Sequence, residues 1–547
     1  MTPRFSIVTP IYNTPEPVFR AMVESVRSQS FVDWELCLVD DKSPSPHVRP
    51  LLEEYAALDP RIKVAYRAEN GGIVAASNDC LELASGEFVS FLDHDDELYP
   101  ECLAKVSAVI DAHYEDIDYI YTDEDKLTED GFRHNPFFKP DWSPERFRYQ
   151  MYTCHFATMR ASLVREVGGF RAEYNGSQDF DLVFRVTERA RRIVHIPEIL
   201  YGWRIISGSA AGDVNAKPYA WIAGQKAIQS HCDRTGFEAH VTHDLAQPGW
   251  YRLEPRLTQS PLVSIVIPTA GSAKLIRGAV EPVATACLRT IDEVSTYENY
   301  EVVVVADIHT DPRVRAVAEE RFGGRLTWVE FDKPFNFSEQ INLGVLNSRG
   351  DHLLLLNDDI EITTPNWIES MLMYSAQEAI GAVGVKLVYG DGRLQHAGVT
   401  TANAESGPAH VCMGFPGDAP GSFSVLRLGN NYLAVTAAAM MTRRDAFFEV
   451  GGFSEQFPSS YNDVDYCLKL RETGYRVAFN PEVELVHHES ASRDHNVSPV
   501  ETRDFNERWS HYIGNDPFYN PNLVFNPSDF GIPGSYVLNE RRPAVRS

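Results

Sequence analysis

Residues 88–98 read Phe-Val-Ser-Phe-Leu-Asp-His-Asp-Asp-Glu-Leu, an apolar run that breaks into three carboxylates, Asp93, Asp95 and Asp96. The run has the composition of a buried strand. Ionised carboxylates crowd one another unless something cationic sits among them. An oxygen-rich set of this kind suits Mg²⁺ or Mn²⁺, above all when a substrate phosphate completes the shell. The alternative is a solvated turn in which Asp96 caps a helix. The chain repeats the pattern at residues 353–362, Leu-Leu-Leu-Leu-Asn-Asp-Asp-Ile-Glu-Ile, where an apolar strand runs into Asn357, Asp358 and Asp359.

The residues upstream of the first cluster alternate strand and helix patterns. Phe5 to Ile11 is β-rich and ends at a proline turn; residues 16–29 place Val18, Met22 and Val26 at helical spacing. Trp34 to Val39 is a second apolar strand that stops at Asp40-Asp41. A polar helix at 46–58, a short strand at Ile62–Tyr66 and an alanine-rich helix to Ala84 follow. This β-α-β-α-β-α-β order predicts an α/β fold with a mostly parallel sheet covered by helices on both faces. Ligands of such sheets bind outside the carboxyl ends of the strands, which gathers Pro10, Tyr12, Asp41 and the Asp93–Asp96 cluster at one rim. Further on, Tyr121 to Asp125 is another strand ending in acids, and Phe137 to Trp142 reads as an aromatic binding loop. Asp179 and Asp181 open a helix, where either can be a partner of the helix dipole.

The order then starts again. Val263-Ser264-Ile265-Val266-Ile267-Pro268 repeats residues 5–10, and Tyr300 to Val305 repeats Trp34 to Val39. Gly451-Gly452-Phe453 repeats Gly168-Gly169-Phe170, and the run from Tyr461 to Asp465 repeats Ser177 to Asp181. The second copy carries an insertion near 400–425. A duplication of this length means two similar domains in tandem. The expected division is 1–250 and 261–495, with a linker at 251–260 and a C-terminal extension, 496–547, packed on the second domain. The halves are expected to fold independently when cut within 240–260.

Composition narrows the function. A chain of 547 residues is too long for one ordinary core, and an apolar fraction of 44% is that of a globular protein. No apolar run reaches the ~18–20 residues that span a bilayer, and a strand pattern starting by Phe5 leaves no room for a signal peptide. The 8 cysteines contain no C-x-x-C pair, which points to reduced thiols in a cytoplasmic compartment. A net charge of −27 disfavours nucleic acid and unaided adhesion to anionic membranes. The fingerprints of a dinucleotide-binding fold, a P-loop and a serine hydrolase are all absent. A glycan-binding module remains, with Trp142, Trp203, Trp250 and Trp367 as stacking platforms.

Both halves resemble the inverting family 2 glycosyltransferases with the GT-A fold found in bacterial O-antigen and rhamnose-polymer assembly. The motifs are Ser-Ile-Val-Thr-Pro-Ile-Tyr-Asn, Val-Asp-Asp-Lys-Ser, Leu-Asp-His-Asp-Asp-Glu-Leu and Ile-Leu-Tyr-Gly-Trp-Arg in the first half. In the second they are Leu-Leu-Asn-Asp-Asp, Asn-Asp-Val-Asp-Tyr-Cys-Leu and His-His-Glu-Ser-Ala-Ser-Arg. The resemblance implies two tandem GT-A-like domains and two sets of roles. Pro10, Tyr12 and Asp41 would hold the base and ribose. Asp93 and Asp95 would form the D-x-D element, one on ribose and the other on a divalent metal (Mg²⁺ or Mn²⁺), and Asp179 would be the base. Thr269 and Asp307 would line the second nucleotide pocket, Asn357, Asp358 and Asp359 would stand for D-x-D, Asp463 would be the base and His487 a metal ligand with Asp359. Gly202 falls where many relatives carry that histidine, which would leave the metal of the first half with fewer protein ligands or shift the duty to Asp95 and Asp96 plus water. The implied partners are a dTDP- or UDP-linked donor and a glycan or lipid-linked glycan acceptor, met at the cytoplasmic face of the inner membrane. One active domain beside a non-catalytic acceptor-binding domain is the alternative.

Overall fold

The computed structural model describes residues 2–128, 130–205, 218–244, 247–276, 279–405, 407–488, 497–525 and 528–534. It contains two large α/β sheets of the same design. The first runs in the order Ile62–Tyr66, Trp34–Asp40, Phe5–Ile11, Phe88–Phe91, Ala157–Arg160, Ile117–Leu127, Arg192–Arg204, Glu97–Leu98. The second runs Leu326–Phe331, Tyr300–Asp307, Val263–Thr269, His352–Leu356, Ala439–Arg443, Ile380–Val388, Arg476–His487, Ile360–Glu361. In each, the first four strands are parallel, and the fifth is antiparallel to its neighbours. The α/β architecture with a mostly parallel sheet, expected from the order of strands and helices, is therefore present twice.

The strand Phe5–Ile11 lies between two parallel partners, with Phe5, Ile7, Val8 and Ile11 buried. Parallel strands covered on both faces need such continuous apolar runs. Two polar residues in these runs have a specific task. Ser6 sits in register with Glu35, and its hydroxyl donates to Glu35 Oε1 (2.6 Å), while the Ser85 and Gly86 amides donate to Glu35 Oε1 (2.6 Å) and Ser6 Oγ (2.7 Å). Ser264, Glu301, Arg349 and Gly350 repeat this latch at 2.7, 2.6 and 2.7 Å. It ties the turn before the fourth strand to the two central strands, so the repeated Ser, Glu and Gly mark one three-strand junction. A Cβ on Gly86 would fall 2.7 Å from the Ser6 nitrogen, which explains the glycine.

The halves share a core, which argues against the expectation that they fold separately. One apolar cluster joins Phe147, Tyr149, Phe180 and Phe237 of the first half to Met373, Tyr374, Leu428 and Ala478 of the second. The short helix Pro144–Phe147 presses into the second half: Ser143 Oγ donates to Asn431 Oδ1 (2.9 Å), Arg146 to Asn430 Oδ1 (3.1 Å), and buried Glu145 pairs with Arg476 (3.1 Å). Tyr149 and Tyr374 share a hydroxyl hydrogen bond (2.9 Å). The 240–260 stretch is not a plain linker, because Ala239–His243 and Tyr251–Pro255 pair as an antiparallel ribbon.

The C-terminal segment packs on both halves. Its helix Pro499–Trp509 docks on the second, with Phe505 stacked on Tyr461 (4.7 Å). Beyond it, Asn520 Nδ2 reaches Asp123 Oδ2 (2.8 Å) and Lys139 O (2.9 Å), and Asn522 Nδ2 reaches Pro197 O (2.7 Å) in the first. Residues 535–547 of the expected extension lie outside the described residues. Severing the chain within 240–260 exposes this shared apolar surface. Each fragment expressed alone is expected to aggregate or to unfold without cooperativity; two soluble fragments with sharp urea transitions would contradict the shared core.

Candidate functional site

In the first half a cleft of ≈ 470 Å³ opens at the carboxyl ends of the parallel strands. Pro10, Asp93, His155, Gln178 and Asp179 line it. Tyr12 lies just past the central strand and is exposed. Asp41 is buried, and its two oxygens accept from the Gly71 and Gly72 amides (2.8 Å each) while Arg67 lies 3.0 Å away. Its carboxylate thus holds the loop at the rim.

The carboxylates of Asp93, Asp95 and Asp96 lie within 4.8 Å of one another. Asp93 is exposed to the cleft, and Asp96 is buried. Asp96 accepts from the Tyr201 hydroxyl (2.5 Å) and the Arg204 amide (2.8 Å). Each oxygen thus accepts one hydrogen bond from the protein, which fixes the Asp96 carboxyl at the back of the cluster. Burial pushes the Asp96 carboxyl well above the usual range, and the charges of Asp93 and Asp95 add to the shift. Asp93, though open to the cleft, is raised as well by partial desolvation from the cleft walls, with Asp95 and Asp179 contributing and His155 opposing.

Asp179 stands in the first turn of the helix Gln178–Thr187, exposed to the cleft, and the surrounding cleft walls raise its carboxyl. Its neighbour Asp181 is fully buried and gripped by Arg171 and Arg185 (2.7 Å to Arg185). This settles which aspartate of the pair faces the cleft. The helix start is fixed by Asn78, whose side-chain amide donates to Phe170 O (3.0 Å) and accepts from Phe170 N (2.9 Å). Asn342 does the same for Phe453 at 2.9 and 2.9 Å.

In the second half Asp463 opens the helix Asn462–Glu472 and accepts from the Ala437 amide (3.2 Å). Asp465 is buried against Trp509 Nε1 (2.9 Å) and Arg508 (3.0 Å), as Asp181 is by its arginines. Thr269 donates to Asp358 Oδ2 (2.5 Å), Asn357 N donates to Ala438 O (2.9 Å), and Asp307 caps its own turn through His309 N (2.8 Å). His487 Nε2 lies 2.9 Å from Asp359 Oδ1, and its Nδ1 meets Gln395 Oε1 at 2.6 Å. The structure thus brings Asp359 and His487 together. Residues 489–493 of the His-His-Glu-Ser-Ala-Ser-Arg motif lie outside the described residues.

Several residues escaped the sequence reading. Lys139, placed there in a binding loop, is fully buried and donates to Thr122 O (2.7 Å), Glu124 Oε2 (3.2 Å) and the Cys154 carbonyl. Glu124 also meets His155 Nδ1 (3.1 Å). The acids at 123–125 are strand residues within the sheet, with Asp123 on His195 (2.8 Å) and Asp125 on Tyr99 and Arg133 (2.5 Å each). Three adjacent acids inside an apolar strand were the available signal, since each buried charge demands a partner. The stacking-platform reading loses Trp367, fully buried, and Trp142, packed among Tyr119, Phe147 and Tyr152.

The position of Gly202 needs correcting. Ile360 pairs with His487, whereas Glu97 pairs with Gly202 and Leu98 with Tyr201, which puts Trp203 opposite Asp96. Counted from Pro197-Glu198 and Pro481-Glu482, Trp203 is again the counterpart of His487.

The comparisons place this architecture. The profile of glycosyl transferase family 2 matches residues 6–168 and 264–450, once in each half, and the chain belongs to that family. It is 41% identical over 545 residues to the uncharacterized protein y4gI of Sinorhizobium fredii, covering 96% of this chain and 58% of the relative. It is 34% identical over 539 residues to the O-antigen biosynthesis protein RfbC of Myxococcus xanthus, covering 97% and 41%. The chain thus spans about half the length of these relatives. Among solved structures, S. aureus TarS 1–349 in complex with UDP-GlcNAc is similar over 42% of this chain and 66% of its own, with 23% identity and a TM-score of 0.35.

Burial pulls the His155 pKa down, but the charge and hydrogen bond of Glu124, joined by Asp96 and Asp93, raise it to about 9. A histidine raised in the folded state adds stability that is complete below its ordinary pKa of ~6.5 and lost as pH rises through the raised value. The destabilisation caused by His155→Ala, measured by urea unfolding, is expected to be larger at pH 6 than at pH 10. An equal gap at the two pH values would show that His155 is not held as an imidazolium.

Proposed function

We propose that the chain is a two-headed inverting glycosyltransferase that transfers sugars from dTDP- or UDP-linked donors to a growing bacterial surface glycan. The carrying observation is the repeated opposition of one aspartate at a helix start, Asp179 or Asp463, to a carboxylate rim on the strand ends. In both halves the aspartate two residues further on, Asp181 or Asp465, is consumed by cationic or indole donors. That leaves one carboxylate per half for chemistry.

Inverting displacement needs a base on the face opposite the leaving group, within reach of the acceptor hydroxyl. The Asp179 carboxylate takes the acceptor proton as the oxygen attacks the sugar carbon; the protein walls of the cleft raise its affinity for that proton. Asp463 has the same task in the second half. Pro10, Tyr12 and Asp41, and in the second half Thr269 and Asp307, border the nucleotide. The departing diphosphate must be stabilised against the acidic surroundings. Asp359 and His487 form an oxygen–nitrogen donor pair, with the far ring nitrogen anchored on Gln395, which fits a divalent cation held by an oriented histidine. Such a cation, Mg²⁺ or Mn²⁺, supplies Lewis-acid and template chemistry to the diphosphate. Asp93 and Asp95 would hold the equivalent ion in the first half.

The acceptor is a glycan or lipid-linked glycan, met at the cytoplasmic face of the inner membrane through peripheral docking. No helix among the described residues is long and apolar enough to cross a membrane.

With a panel of dTDP- and UDP-sugars, Mn²⁺ and a lipid-linked glycan acceptor, Asp179→Asn and Asp463→Asn are each expected to abolish a different transfer step. The expected loss is roughly 10²–10⁴-fold, with donor binding kept. Full turnover by both variants would overturn the base assignments, and dependence on one aspartate alone would leave the other half as an acceptor holder. EDTA is expected to stop the step that depends on Asp463; undiminished transfer in metal-free buffer would remove Asp359 and His487 from a metal role.

A further inference from the structure

The two halves exchange a histidine between two strands that flank the same middle strand. In the second half the end of the strand Arg476–His487 supplies His487, and Ala438 precedes the strand Ala439–Arg443, which lies on the other side of Ile380–Val388. In the first half the position of His487 is taken by Trp203. Phe88 pairs with Arg160 as His352 pairs with Arg443. Counting back five residues from these arginines puts His155 at the place of Ala438. The third strand changes too: Glu124 pairs with Tyr201 where Leu387 pairs with Leu485, so the first half has Glu124 for Leu387.

These differences converge in space. The His155 ring lies 4.4 Å from Trp203, against the side chain that replaces His487. It lines the same cleft as Asp93 and Asp179. Its Nδ1 is committed to Glu124 Oε2 (3.1 Å), just as His487 Nδ1 is committed to Gln395 Oε1 (2.6 Å). In each case an oxygen acceptor fixes the ring and leaves Nε2 for the site, the arrangement by which proteins orient metal-binding histidines. Glu124 is itself held by the fully buried ammonium of Lys139. Packing alone gives no reason for this buried ion cluster, because the second half fills the same positions with Leu387 and Ala438 and such pairs rarely add stability. Glu124, Cys154 and His155 also lie within 4.8 Å of one another, but Lys139 already occupies Glu124 and the Cys154 carbonyl, so these three do not form a separate cation site.

We propose that His155 does in the first half what His487 does in the second: through Nε2 it is the nitrogen ligand of the divalent cation that Asp93 and Asp95 hold on the donor diphosphate. This rests on the transferase reading above. Glu124 and Lys139 are then positioning residues that aim the ring. Coordination displaces any proton on Nε2.

The test is a Mn²⁺ titration of the full chain with UDP or dTDP present, following free Mn²⁺ by its electron paramagnetic resonance signal. The wild type is expected to take up two ions per chain, and His155→Ala and His487→Ala one each at the wild-type affinity. The lost site is expected to weaken at least ~10-fold. Adding Trp203→His to His155→Ala, which copies the second half, is expected to restore the second ion and separates a lost ligand from a misfolded domain. Two ions bound by His155→Ala at unchanged affinity would overturn the proposal. Nucleotide-dependent uptake of a single ion by the wild type, lost in His487→Ala, would overturn this proposal and leave the transferase reading standing. No uptake of nucleotide or metal would overturn both.

Discussion

A single side-chain amide sets the geometry of each half. Asn78 and Asn342 stand on the helices Gly72–Leu83 and Phe337–Leu346, and each closes a pair of hydrogen bonds on the backbone of the Gly-Gly-Phe turn. That turn feeds the helix whose first turn carries Asp179 or Asp463. The clamp therefore ties the chain that leads into that helix to a helix packed on the parallel strands. It also explains the glycines: a Cβ on Gly169 would lie 2.8 Å from Asn78 Oδ1, and one on Gly452 2.7 Å from Asn342 Oδ1, with φ of +64° and +65°. Arg185, which grips Asp181, also donates to Gly169 O (2.7 Å), so the buried aspartate and the turn are braced together. Two charges held in this way inside a sheet-and-helix interface are costly unless fully paired, and here they are.

Much of this was legible in the sequence because the chain states it twice. Ser6 and Glu35 recur as Ser264 and Glu301 because a buried hydroxyl and a buried carboxylate must satisfy each other at one strand junction. The acidic strand ends recur because parallel strands bring them to one rim. The apolar runs Phe5–Ile11 and Trp34–Val39 were enough to mark both as strands of one sheet.

What the sequence hid was long-range pairing and register. The Asp123–Asn520 bond joins residues 397 apart, and Glu145–Arg476 joins residues 331 apart. No local pattern announces such contacts. The closing strand was misread by one residue, at Gly202, because motif alignment does not fix β register, and a shift of one turns a side chain to the other face. Lys139 looked like part of a surface loop because lysines are rarely buried, and only its partners Thr122 and Glu124 explain its place.

The shared core makes the two halves one object. Glu145, Arg146 and Tyr149 enter the second half, and Asn520 and Asn522 return to the first, so the two rims are held in a fixed relation rather than strung on a tether. The central claim is that both rims are nucleotide sites, and native mass spectrometry of the chain with Mn²⁺ and UDP or dTDP counts them directly. The account predicts saturation at two nucleoside diphosphates per chain; saturation at one with either nucleotide, and with both supplied together, would contradict it.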